Sequence, residues 1–384
     1  MVALSREHSI AEELSLFESG INGFLDEHAT PQAIARWREN GVVDRELWHH
    51  AGKAGLLCPS MPIEYGGAGA DFRHEALIVS QLVRRGVDGW GVPLHNGIIA
   101  PYILAYGSEA QRRRWLPRLA TGELVGAIAM TEPGTGSDLQ AIRTRAVKDG
   151  DLYRISGAKT FITNGQCANL IIVVAKTDPN AGSRGISLFV LETEGAEGFA
   201  RGRKLDKVGL EIADTSELSF DAVAVPPSNI LGEIPGQGFI QLMQQLPRER
   251  MIIAVECVSM IDYALELALA YARDRKAFGK PIIEFQNTSF TLAEAKTEAT
   301  VTRVFVEHCI GKFLAGTLDA PTASMAKLWA SEAAQRVVDT CLQLHGGYGY
   351  MNEYPIARLY KDVRVKRIYG GTSEIMKLLI SRSL

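Results

Sequence analysis

The sequence predicts an α+β, multidomain chain in three parts: an N-terminal α-helical domain over residues 1–125, a middle β-sandwich or barrel domain over 126–235, and a C-terminal four-helix bundle over 236–384. Two observations carry this. Apolar residues recur at three- and four-residue spacing at both ends of the chain, whereas short β-rich runs punctuated by Gly, Asp, Asn and Pro fill the middle. The late helical patterns are also long and closely linked, which makes a bundle the natural way to bury their stripes.

In order, Ile10–Leu25 is amphipathic, with Leu14, Phe17, Ile21, Phe24 and Leu25 on one stripe. Arg45–Leu57, His74–Gly86, Asn96–Tyr106 and Glu109–Leu119 read as further helices, with a glycine-rich loop at Pro62–Gly69. Strand-like runs follow at Gly126–Met130, Tyr153–Ser156, Leu170–Ala175, Ile186–Leu191 and Ser216–Phe220. Helices return at Arg248–Asp274, Thr288–Leu314, Ala320–Leu344, Pro355–Ile368 and Ser373–Leu384. Pro247 suits a first helical position, which places Glu249 in the first turn of its helix.

Composition narrows the function. Apolar residues make up 46% and charged residues 22%, so a packed globular protein is expected. The net charge is -3, without a basic tail or an acidic run, which argues against nucleic acid or an anionic membrane surface as partner. The five cysteines form no CxxC pair, which argues against a zinc site or a disulfide framework and leads us to expect a reducing, cytoplasmic setting. The opening MVALSREHSIAEELS lacks the apolar core of a signal peptide, and no apolar run is long enough for a bilayer span. No strand carries GxGxxG into a helix, so a flavin or nucleotide would not bind in the Rossmann manner.

Near the end, Tyr369-Gly370-Gly371-Thr372-Ser373-Glu374 places two glycines before a helix start. Glycines let backbone approach a ligand, and Thr372 or Ser373 can cap a helix whose free N–H groups attract anions. By itself the pattern also suits a plain loop. Five stretches together decide more: Ala129–Asp138 (AMTEPGTGSD), Gly157–Gly165 (GAKTFITNG), Arg275–Ile282 (RKAFGKPI), Gln343–Tyr350 (QLHGGYGY) and the glycine pair with its helix. In order and spacing, over nearly the whole chain, they resemble the acyl-CoA dehydrogenase family, whose helical, β, helical architecture agrees with the division above.

The resemblance implies an FAD flavoprotein of fatty acid β-oxidation that dehydrogenates a saturated acyl-CoA between Cα and Cβ. It implies that the Met130–Ser137 loop (Met130, Thr131, Gly136, Ser137) and Phe161, Ile162 and Thr163 flank the isoalloxazine ring. Phe161, where many relatives have Trp, would supply a wall and Thr163 a donor; from the residues alone the same pair reads sooner as a strand end with a core aromatic. The adenine half would be held across a dimer interface by Arg275, Phe278, Phe285, Gln286 and the loop Gln343, Leu344, His345, Gly346, Gly347, with Thr372, Ser373 and Glu374 also meeting FAD. An arginine fork suits the pyrophosphate. Ser137, Arg248, Arg250, Tyr369, Gly370 and Gly371 would meet the substrate; a packed core role for Tyr369 stays open.

One departure matters. Medium- and short-chain relatives carry their catalytic glutamate immediately before the Gly-Thr of the last motif, where this chain has Gly370. The long-chain and isovaleryl-type branch carries it on an earlier helix, and Glu249 falls on that position. Glu249 is therefore the expected base, and the N–H of Gly370 is expected to polarise the thioester carbonyl. An electron-transfer flavoprotein is the expected acceptor and a homotetramer, a dimer of dimers, the expected assembly. The neighbouring activities are dehydrogenation of an acyl-carrier-protein substrate and oxidation by oxygen. A DNA-binding flavoprotein of the same fold is disfavoured by the net charge of -3 and by the short stretch after the last motif.

Overall fold

The computed structural model describes residues 2–384, with side chains from Ile10 onward. The chain divides into two compact units: one holds residues up to Glu75, Gly89–Lys207 and Glu211–Leu246, the other Ala76–Asp88, Val208–Leu210 and Pro247–Leu384.

In the first unit, helices α1 (Val2–His28), α2 (Pro31–Asn40), α3 (Arg45–Lys53), the start of α4 (Phe72–Arg85), α5 (Val92–Leu94), α6 (Ala100–Tyr106) and α7 (Glu109–Ala120) precede the sheet. Local chemistry sets their ends. Thr30 accepts from Ala33 N ahead of Pro31, Gly41 closes α2 at φ 63°, and Ser108 and Gln111 form a reciprocal capping box on α7. Strands β1 (Gly126–Ala129), β2 (Arg145–Asp149), β3 (Leu152–Ile162), β4 (Leu170–Lys176), β5 (Ile186–Glu192), β6 (Phe199–Lys204) and β7 (Ser216–Val225) make one mixed sheet in the order β1-β4-β2-β3-β7-β6, with β5 antiparallel to β4. The central β4 is buried along six consecutive residues, as its unbroken apolar run requires. Its face meets Tyr102, Trp115, Leu116 and Leu119 from the helices in one apolar core. Strands β2 (RAVKD) and β6 (FARGRK) are largely exposed and charged, which is why apolar patterning does not reveal them.

In the second unit, α8 (Gly238–Asp274), α9 (Gln286–Leu314), α10 (Ala320–Leu344), α11 (Pro355–Val363) and α12 (Ser373–Ser381) follow, with a small hairpin of β8 (Lys276–Ala277) and β9 (Lys280–Pro281) after α8. The division between the units falls within α8, at Pro247. Alanines 326, 330, 333 and 334 of α10 are fully buried and keep its neighbours close.

One expectation is corrected here. Helix α8 begins at Gly238, not beside Pro247, which lies inside it. A proline within a helix removes one hydrogen bond and crowds the preceding turn. Burial of Leu242 before it and of Met251 and Ala254 after it outweighs that local penalty. Glu249 therefore sits far from the helix N-terminus, beyond the reach of the terminal dipole, which acts only within the first turn. No helix among the described residues is long and apolar enough to cross a membrane.

Candidate active site

The second unit brings two sequence-distant stretches together, one on α8 and one at the glycine pair. Glu249 and Arg250 are buried on α8, at 6% and 3% exposure. Ile253 lies one turn beyond Glu249, on the same face of the helix. Gly370 adopts φ 63° and Gly371 φ 92°, a left-handed pair that other residues occupy only under strain. A Cβ placed on Gly370 would lie 2.3 Å from Ile253 Cδ1, so the glycine pair abuts the face of α8 that carries Glu249. The glycine turn therefore packs against the stretch of α8 that carries Glu249, and a side chain at 370 would require the end of Ile253 to move.

The flanks of this turn are anchored. Thr372, rather than Ser373, caps α12 by accepting from Ile375 N. The Ser373 hydroxyl instead donates to Glu332 Oε1 at 2.7 Å, which also takes Arg367 Nε at 2.8 Å. Glu332 is held below the usual carboxylate range by these hydrogen bonds, although its burial opposes them. Glu374 is exposed. The Tyr369 hydroxyl donates to Glu256 Oε2 at 2.9 Å and accepts from Lys366 Nζ at 2.9 Å, while Lys366 pairs with Glu256 at 2.6 Å. Lys366 is wholly buried, so Tyr369 is anchored by its hydroxyl into an ionic core. Arg248 lies over the Phe313 ring at 5.5 Å, and Arg250 Nη1 donates to Ser324 Oγ at 3.2 Å.

A cleft of about 510 Å³ opens elsewhere in the same unit, lined in part by Arg275, Leu344, His345, Gly346 and Gly347. Five expected adenine-side residues thus converge on one concave surface; Gln343 is exposed beside it, outside the lining. Tyr271 stacks on His345 at 4.4 Å, and Arg275 lies 6.0 Å from the Tyr348 ring centre. His345 Nδ1 faces the Cys341 carbonyl at 2.8 Å, and burial lowers its basicity, which leaves a neutral ring with Nε2 as acceptor. Phe278 tops the β8–β9 hairpin at φ 52° and 97% exposure, edge-on to Phe285, with Gln286 opening α9. A left-handed φ at so exposed an aromatic is uncommon.

In the first unit, Phe161 occupies a left-handed bulge near the end of β3, at φ 59° and 66% exposure. That decides against a core aromatic there. Ile162 is buried and Thr163 half-buried, and Asn164 turns the chain at φ 62° with its amide on Gly126 O at 3.0 Å. Thr131 accepts from Thr160 N at 3.0 Å, which ties the Met130–Ser137 loop to β3; Gly136 and Ser137 are exposed at its tip.

Two residues of this loop system carry no role in the sequence reading. Lys159, fully buried, donates to Met130 O at 2.9 Å and to Glu132 Oε1 at 2.9 Å; Glu132 also accepts from Arg143 N at 2.6 Å and Thr144 N at 2.9 Å. Their signal lay in the quoted motifs, since a lysine amid strand residues and a glutamate before Pro-Gly need partners if buried. Burial lowers the Lys159 pKa to about 8 despite Glu132, whereas Glu132 is held below the usual range by its hydrogen bonds and Lys159 against the opposing effect of burial. Glu132→Gln is therefore expected to leave an uncompensated buried ammonium and lose roughly 3–5 kcal/mol of stability, measured by urea unfolding at pH 7. Because the folded-state pKa of Glu132 is depressed, its contribution holds above the unfolded carboxylate value and fades as pH falls through the folded one. A loss below about 1 kcal/mol would contradict the burial of this pair.

Three family models match the chain: the acyl-CoA dehydrogenase N-terminal domain at residues 11–123, the middle domain at 127–223 and the C-terminal domain at 236–384. The chain is 46% identical to the mitochondrial long-chain specific acyl-CoA dehydrogenase of Sus scrofa, over 97% of this chain and 87% of that protein. The solved structure of an acyl-CoA dehydrogenase from Geobacillus kaustophilus superposes with a TM-score of 0.94 at 46% identity, covering 97% of this chain and 98% of that one. A glutaryl-CoA dehydrogenase from Mycobacterium smegmatis, solved in complex with FADH2, gives a TM-score of 0.89 at 29% identity, over 97% and 94% of the two chains. With its three parts matched in order and 97% of its length shared with these relatives, the chain belongs to the acyl-CoA dehydrogenase family of FAD-dependent oxidoreductases.

Proposed function

We propose that this protein converts a saturated acyl-CoA to the trans-2-enoyl-CoA, with Glu249 as the base that takes the α proton. FAD, when bound, supplies the acceptor for the β hydride. The observation that carries the assignment is the filled space at position 370: Ile253 Cδ1 stands 2.3 Å from where a side chain there would begin, while the carboxylate of Glu249 is buried one helical turn away. The N–H of Gly370 is the donor to the thioester oxygen, which gains negative charge as the α proton leaves. Arg248, Arg250, Ser137, Tyr369 and Gly371 are the remaining substrate-side residues.

The residues present fit FAD. Phe161 offers a solvent-facing aromatic wall held out by its bulge, beside Thr163 and the Met130–Ser137 loop. The Tyr271–His345 cleft, with Arg275 at its edge, has the aromatic and cationic character that an adenine and a pyrophosphate require. Exposed Phe278 supports a second copy of the chain completing that end of the site, and a tetramer built from such dimers. Electron-transfer flavoprotein is the proposed acceptor. Resemblance to a long-chain enzyme favours long saturated acyl groups. The five free thiols support a reducing, cytoplasmic setting. Functionally the chain still reads as three parts, 1–125, 126–235 and 236–384.

Anaerobic mixing of the FAD-loaded protein with saturated acyl-CoAs of graded length tests this reading. Rapid loss of oxidised-flavin absorbance with one chain-length class is the expected result. A protein that holds FAD yet bleaches with no CoA ester would overturn it.

A further inference from the structure

The Tyr369–Gly371 turn is fastened by two buried lysines of different character. Lys366 reaches it through the Tyr369 hydroxyl and is neutralised by Glu256 at 2.6 Å. Lys327, on α10, is also wholly buried, but it donates to a neutral backbone carbonyl, Gly371 O, at 2.7 Å. An ammonium buried against a carbonyl instead of a carboxylate is an expensive way to hold a turn.

Its surroundings suggest a reason. Arg250 is buried nearby, bonded to Ser324 one turn before Lys327 on α10, and its Nε has no hydrogen-bond partner. Burial and Arg250 lower the Lys327 pKa to about 8, opposed by Cys257 on α8, Glu332 on its own helix and Glu374 on α12. Two cations thus lie near each other, one of them bonded to the glycine turn that packs against Ile253 of α8. Charge that develops there in a reaction would be negative: as the α C–H bond breaks, the proton passes to Glu249 and the electron pair spreads onto the thioester oxygen.

We propose that Lys327 is a positioning residue for this dehydrogenation: its bond to the Gly371 carbonyl fixes the glycine turn so that the Gly370 N–H stays aimed at the thioester oxygen, and its charge favours the anion forming there. The inference rests on the acyl-CoA dehydrogenation proposed above. It separates Lys327 from Glu249, which moves the proton, and from Thr372, which only caps the helix.

Lys327→Met tests it, with the unaltered protein run alongside. The variant is expected to keep its FAD content and to bind acyl-CoA within a few-fold in a Glu249→Gln background, measured by calorimetry. Flavin reduction at saturating acyl-CoA is expected to slow on the order of tenfold to a hundredfold, the scale of a small misplacement of a reacting group. The unaltered enzyme is further expected to lose rate as pH rises through about 8, where Lys327 gives up its proton, and the variant to lack that limb. Unchanged reduction in Lys327→Met overturns the proposal, as does a loss matched by lost FAD or lost substrate affinity. If the variant does not fold, the profile of the unaltered enzyme decides: a rate flat to pH 9.5 overturns the proposal. Failure of the unaltered protein to reduce its flavin with any acyl-CoA would instead overturn both readings.

Discussion

Glu249→Gln is expected to retain FAD and bind acyl-CoA while reducing its flavin roughly 100- to 10,000-fold more slowly, the range over which a positioned general base acts. The substitution conserves shape and leaves α8 intact, since glutamine is as good a helix former as glutamate. What it removes is the carboxylate proposed to accept the α proton. Position 370, the other place where the family carries its base, holds glycine in a left-handed conformation. Stopped-flow reduction with the preferred acyl-CoA, together with calorimetric affinity, separates the loss of chemistry from a loss of binding. Full turnover in Glu249→Gln would sink the assignment. A loss of affinity with an unchanged rate at saturation would make Glu249 a binding residue only.

The architecture was readable where burial imposes a pattern. The stripe Ile21, Phe24 and Leu25 of α1 is buried, and the apolar run of β4 is the centre of the sheet. It was unreadable where burial does not decide. Strands β2 and β6 owe their conformation to ladder bonds with β3 and β7, not to apolar alternation, so their charged sequences read as loop. Pro247 reads locally as a helix opener, but tertiary burial on both sides carries α8 through it. That local reading puts Glu249 in a first helical turn, whereas it lies well inside α8. The motifs nominate candidate site residues, yet they do not say which would be ligands and which supports. Lys159, Glu132 and Lys327 hold the loops from behind, and only the folded chain shows that their charged ends are buried on backbone carbonyls or on one another. Phe161 is the opposite case: a hydrophobic residue near a strand end suggests the core, and its left-handed bulge turns it to solvent.

Transplanting the base to position 370 is expected to fail unless Ile253 is trimmed as well. Gly370→Glu forces a side chain onto a backbone at φ 63°, which costs about 1–2 kcal/mol for a residue with a Cβ. Its Cβ also overlaps Ile253 Cδ1 at 2.3 Å, and an overpacked site loses about 1–3 kcal/mol. The next nearest atom of Ile253, Cγ1, lies at 3.9 Å, an ordinary contact, so Ile253→Val removes the obstruction and leaves the rest of the wall. Glu249 is best replaced by alanine here, since glycine inside α8 would add about 1 kcal/mol of helix cost. Glu249→Ala with Gly370→Glu should then reduce its flavin at the residual rate of a base-less enzyme. Adding Ile253→Val should raise that rate at least about tenfold, equivalent to some 1.4 kcal/mol of barrier, by letting the new carboxylate reach the α carbon. The comparison is internal, because both variants carry the same backbone strain at 370 and differ by one methyl group. Equal rates in the two, with both folded and loaded with FAD, would mean that Ile253 yields without trimming and that the backbone conformation, not the filled space, keeps the base on α8.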